Sequence, residues 1–80
     1  MQHSTIIVRA EWDDEAKVWV ASSDDVPGLA LESESLEALQ NRVLGALEDL
    51  IEFNGLQFET PEIPVHFIAE QIARVPNPAY

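Results

Sequence analysis

The chain is predicted to be an α+β domain of order β-β-β-α-β, with one helix packed on a three- to four-stranded, mostly antiparallel sheet. Three observations lead there. Apolar and polar residues alternate in several short runs, one longer stretch carries its apolar residues three and four apart, and acidic or Pro-Gly breaks separate these segments.

The first run, Thr5 to Trp12 (TIIVRAEW), sets Ile6, Val8, Ala10 and Trp12 against Ile7, Arg9 and Glu11, the pattern of a strand with one buried side. Asp13-Asp14-Glu15-Ala16 interrupts it, and KVWVASS resumes it with Val18 and Val20 opposite Trp19 and Ala21. Two alternating runs across a short polar connection predict a β-hairpin. At Asp24-Asp25-Val26-Pro27-Gly28 the chain corners. Pro27 presets φ for the first central position of a type II turn, and Gly28 accepts the positive φ of the second. Leu29 to Ser33 is then a short third strand, where Glu32 would discourage edge-to-edge pairing.

Ser35 precedes Leu36, Leu39, Val43, Leu47, Leu50 and Ile51, which form one stripe on a helix. Ser35 is the expected N-cap, Glu37 favours the positive end of the helix dipole, and Asn54-Gly55 supplies a left-handed stop. Residues 56–64 (LQFETPEIP) read as a connection. VHFIAEQIARV alternates again, Val65, Phe67 and Ala69 against His66, Ile68 and Glu70, and predicts a fourth strand. Periodicity leaves the strand order and the direction of this last strand open.

Eighty residues make one domain, since a chain of this size buries only about 60% of its extended surface. Residues 1–75 are expected to form it and residues 76–80 a flexible tail. Fifteen acidic residues against four basic ones give a formal charge of -11. Such a field repels nucleic-acid phosphates and anionic membranes, which argues against direct nucleic-acid or membrane binding. It attracts a basic protein, and it also keeps a small domain soluble. There is no cysteine, hence neither a disulfide framework nor a thiolate metal site. MQHSTIIV lacks a basic leader segment and no stretch approaches a membrane span, so a cytoplasmic protein is expected.

The carboxylates cluster at Glu11, Asp13, Asp14 and Glu15 and again at Asp24, Asp25, Glu32 and Glu34. A two-metal site needs acids held together by rigid facing elements, whereas Asp13 and Asp14 fall in a turn, where such side chains bond nearby backbone. The spacing around Pro27 is not that of a calcium loop. His3 and His66 lie far apart in sequence, and no phosphate loop or nucleophile motif is visible. No catalytic, cofactor-binding or metal-ligating residue is assigned, and a non-enzyme is expected. Trp12 shares its face with Ile6 and Val8 and reads as core. If Val18 and Val20 face the helix, Trp19 lies on the opposite side of the sheet with Ile7, either as an anchor for association or covered by the tail.

The stretch WVASSDDVPGLALESESLEAL, Trp19 to Leu39, resembles the hallmark of HicB-like antitoxins, and the likeness extends from about Thr5 to Gly55. It combines an aromatic strand, an acidic approach to a V-P-G corner, a short strand and a Ser-capped helix. The resemblance is to the small single-domain branch of that superfamily, and it implies a partial RNase H-like fold without the nuclease site. It further implies a basic partner, a HicA-like RNA-cleaving toxin. Full-length relatives commonly add a DNA-binding module, for which the residues after the fourth strand leave no room. On this reading Asp24, Asp25, Glu32 and Glu34 steer the partner, Trp19 anchors it, and Pro27, Gly28, Ser35 and Gly55 build corner and caps. A homo-oligomer through the sheet or an edge strand is expected. The alternatives are a solitary accessory domain without a toxin and a divergent RNase H-like nuclease using the acids with Mg²⁺.

Overall fold

The computed structural model describes residues 5–80. Four strands, β1 (Ile6–Asp13), β2 (Val18–Ser22), β3 (Ala30–Ser33) and β4 (Val65–Glu70), and one helix, α1 (Leu36–Asn54), follow in the order β-β-β-α-β. The sheet runs β3-β2-β1-β4. β1 pairs antiparallel with β2, and β2 antiparallel with β3, as two consecutive hairpin-type connections require. β4 pairs parallel with β1, because α1 carries the chain across the sheet from one edge to the other. The sheet is therefore mixed, with two of its three pairings antiparallel.

Each turn is closed by the residues that predict it. Asp13 accepts through Oδ1 from the N–H groups of Glu15 and Ala16, both at 3.1 Å, and Lys17 takes the left-handed conformation with φ 60°. At the corner the Leu29 N–H donates to the Val26 carbonyl at 3.4 Å and Gly28 has φ 91°, the arrangement of a type II turn. Val26 is fully buried beneath it.

The helix begins where Ser35 Oγ accepts from the Ala38 N–H at 3.1 Å. It ends at Gly55, φ 65°, where Gly55 N–H donates to the Glu52 carbonyl and Leu56 N–H to that of Ile51, a Schellman closure. Asn54 Nδ2 donates at once to the Pro27 and Leu50 carbonyls, which pins the end of α1 to the Pro-Gly corner.

Ile6, Val8, Ala10 and Ala21 from the sheet, Val26 and Leu29 from the corner, and Leu39, Val43 and Leu47 from α1 form the buried core. Burying each of the larger side chains contributes about 1.5–3 kcal/mol before chain entropy is counted. The helix lies over β2 and β3. Leu56, Phe58 and Ile63 of the connection, together with Val65 and Phe67, add partly buried apolar surface against the same core, so residues 56–64 are more than a link.

One expectation is overturned. Ala10 is the register partner of Ala21 and Trp12 that of Trp19, so Trp19 and Ala21 stand on the helix face with Ile6 and Val8. Val18 and Val20 occupy the opposite face, with Ile7. Both faces of β2 are apolar, so alternation separates them without saying which turns inward; the pairing register decides.

The residues after β4, 71–80, are all exposed. The protein measures 53 × 23 × 18 Å with a radius of gyration of 15.5 Å, against about 12 Å for a compact domain of this length. The terminal segment lengthens the molecule, while its first residues, Gln71, Ile72 and Arg74, border a shallow cleft with Glu11, Trp12, Asp14 and Glu70.

Candidate functional site

The strands that bury Ile6, Val8 and Ala10 on one side present a second face to solvent. Strand register places Ile7, Arg9 and Glu11 of β1 beside His66, Ile68 and Glu70 of β4. It likewise places Arg9 and Glu11 beside Ser22 and Val20 of β2, and Val20 beside Glu32 of β3. One row across the sheet thus reads Glu32, Val20, Glu11, Glu70. Three carboxylates and one valine share a line where like charges on adjacent strands oppose one another.

Apolar surface runs through this acidic field. Ile7 and Ile68 are each 38% exposed, and Val18 and Val20 are half-buried. No helix covers them, since α1 occupies the other side. Arg9 is the cation in their midst, its Nη1 lying 3.5 Å from Glu70 Oε1 with both side chains more than half exposed. An ion pair in that setting contributes about 0–1 kcal/mol to stability, and its single cation among Glu11, Glu32 and Glu70 leaves the row net acidic.

The sequence-predicted residues separate into different roles. Asp25 accepts through Oδ2 from the Ile7 N–H at 2.8 Å, while Ser23 Oγ donates to the Ile7 carbonyl at 2.6 Å and accepts from the Asp25 N–H. Together Ser23 and Asp25 stand in for a strand partner at the start of β1, where β2 has already ended. Asp24 beside them is exposed. Glu32 and Glu34 are exposed and border a shallow surface cleft with Ser33, Ser35 and Arg42. Arg42 reaches from α1 to donate to the Glu32 backbone carbonyl, leaving that carboxylate to the open face. Trp19 is turned away from all of them, edge-on to Trp12 with ring centroids 5.4 Å apart. Pro27, Gly28, Ser35 and Gly55 occupy the corner and cap positions described above.

The sequence placed Ile7 on the outer face beside Trp19 and Glu11 in the first acidic cluster, but gave neither a partner-binding role. It gave none to Ile68 or Glu70, although the alternation that sets Ile7 and Glu11 opposite Ile6 and Val8 already carried the signal. His66 is exposed on the open face next to Ile7, and His3 lies outside the described residues.

Among the described residues no three His, Asp or Glu side chains converge as a metal ion requires, and no polar side chain is buried. The Asp14 carboxyl is held below its ordinary range by a hydrogen bond from Lys17, then by one from the Trp12 indole, then by the Lys17 charge. This is hairpin electrostatics at a fully solvated position. No described helix is long and apolar enough to cross a membrane. What the open face offers chemically is an acidic, partly apolar surface with a small concavity lined by Ile7, Arg9, Ser22, Ser23, Asp24 and Asp25.

Comparison with known proteins gives a family and a fold neighbour. Residues 5–76 match a family described as a domain of unknown function, DUF1902. Among solved structures, the chain is similar to hypothetical protein TTHA1013 of the extremely thermophilic bacterium Thermus thermophilus. The two are 42% identical with a TM-score of 0.67, over 91% of this chain and 99% of that one. A search of curated proteins found no match.

Proposed function

This chain belongs to the DUF1902 family, and we propose that it serves there as a non-catalytic binding domain for a basic protein. The observation that carries the reading is the open sheet face, where exposed Ile7 and Ile68 and half-buried Val20 lie with no helix over them among Glu11, Glu32 and Glu70. Charge on such a face steers a cationic partner and rejects anionic ones, while the apolar residues supply contact area once it arrives. The resemblance of Trp19–Leu39 to HicB-like antitoxins supplies the finer reading. The partner is a small basic RNA-cleaving toxin of the HicA type, neutralised when its active surface is covered.

The exposed acids Asp24, Glu32 and Glu34 act in steering, joined by Glu11 and Glu70. Asp25 serves by holding the corner against β1, and the anchoring given to Trp19 passes to Ile7, Val20 and Ile68. The test is to mix the protein with the product of a neighbouring short basic reading frame and follow gel filtration and RNA cleavage. A complex that forms at low salt, weakens as salt rises and silences cleavage supports the proposal. The absence of a complex at low salt refutes it and favours a solitary accessory domain.

A further inference from the structure

The segment after β4 differs from the rest of the chain in both charge and surroundings. All fifteen acidic residues precede residue 71, and residues 71–80 hold Arg74 and no acid. Ile72, Val75 and Tyr80 in this segment are 81%, 85% and 108% exposed, so most of their apolar surface is left open to solvent, although Ile72 and Arg74 border a shallow cleft with Glu11, Trp12 and Asp14 of their own molecule. Arg9 is paired with Glu70, Lys17 with Asp14, and Arg42 with the Glu32 carbonyl. Among the described residues Arg74 is the cation left without an ion pair or hydrogen bond.

The open face is its complement, apolar at Ile7, Val20 and Ile68 and acidic at Glu11, Glu32 and Glu70. Two such faces cannot lie against each other without opposing carboxylates, whereas an apolar stretch that carries Arg74 and no acidic side chain matches one. Pro76 and Pro78 remove two backbone donors, which suits docking across a face rather than extending a sheet edge.

We propose that residues 71–80 of one copy lie across the open sheet face of a second copy, and that the exchange is reciprocal. Arg74 meets the partner row of Glu32, Glu11 and Glu70, and Ile72 and Val75 cover the apolar residues between. Reciprocal exchange closes a twofold dimer, because each copy gives one tail and receives one. This rests on the same reading of the open face as a docking surface for cationic chemistry, and it makes the tail an occupant that a basic partner must displace.

The chain has no cysteine, which permits a clean test. Val20→Cys and Val75→Cys proteins, prepared separately and mixed under oxidising conditions, should give a covalent heterodimer in excess of either homodimer. The control pair, Val75→Cys with Glu48→Cys on the exposed side of the helix, should not. Sedimentation equilibrium of the unmodified chain should show a dimer, Arg74→Glu should weaken it by roughly tenfold or more, and Glu11→Arg in the same chain should restore it. Arg74 is exposed, so circular dichroism of Arg74→Glu should be unchanged. A monomer at every concentration, a dimer indifferent to Arg74→Glu, or cross-linking no better than the control would overturn the proposal. These measurements involve no partner protein. Their failure leaves basic-partner binding standing, and failure to bind a toxin leaves the dimer standing.

Discussion

The two faces of β1 are built from alternate residues of the same eight-residue strand, yet they obey different rules. Ile6, Val8 and Ala10 on the helix face are 0–2% exposed and hold the fold together. Ile7, Arg9 and Glu11 on the open face are exposed, with no helix over them. The difference teaches that stability and recognition can be assigned residue by residue here. A substitution on one face should change the unfolding free energy, and its neighbour on the other should change only association.

The largest effect expected from breaking this division is at the core. Leu39→Ala removes a side chain that is 1% exposed and should cost about 2–5 kcal/mol, read as a fall in the urea midpoint. Ile68→Ala on the open face should stay within about 1 kcal/mol in the same assay. Comparable losses at both sites would abolish the distinction.

Next is the corner on which both faces depend. Gly28 has φ 91°, and a Cβ placed there would lie 3.4 Å from Leu50 Cδ2. Gly28→Ala should therefore cost about 1–2 kcal/mol from backbone strain, and a neutral result would show that the corner relaxes freely. Smaller again is the contrast between adjacent aspartates. Asp25→Ala removes the acceptor of the Ile7 N–H and should cost about 1 kcal/mol, while Asp24→Ala should change stability by less than about 0.5 kcal/mol. Equal effects would mean that Asp25 is as dispensable to the fold as its neighbour.

The smallest expected effect is electrostatic and local. Asp14 titrates below its ordinary range because Lys17 and Trp12 hydrogen-bond its charged form. A carboxyl depressed in the folded state stabilises above its unfolded pKa, and that contribution is lost as pH falls through the folded value. Carboxyl NMR titration should show Asp14 moving back toward the ordinary value in Lys17→Ala, and an unchanged titration would remove Lys17 as the cause.

Much of this architecture was legible in the residues. The stripe from Leu36 to Ile51 marked α1, Ser35 and Gly55 marked its ends, and Pro27-Gly28 marked the corner, because caps and tight turns depend on local chemistry. Long-range pairing was not legible. The parallel docking of β4 on β1 and the inward turn of Trp19 follow from a register that no local pattern encodes, and both faces of β2 look apolar in sequence. The bond from Ile7 to Asp25 spans 18 positions, so two neighbouring aspartates with different tasks read alike. The open face was half visible, since the acids stood out but their alignment across strands required the sheet order.

The most direct test of the central claim is amide chemical-shift mapping of the ¹⁵N-labelled protein titrated with a small basic protein, the product of a short basic reading frame beside its own where one exists. Shifts are predicted at Ile7, Glu11, Val20, Glu32 and Ile68, diminishing as salt is raised and sparing Leu39 and Val43. Shifts gathered instead around Leu44 and Phe53, the exposed apolar residues of α1, or no shifts at low salt, would contradict the assignment of recognition to the open face.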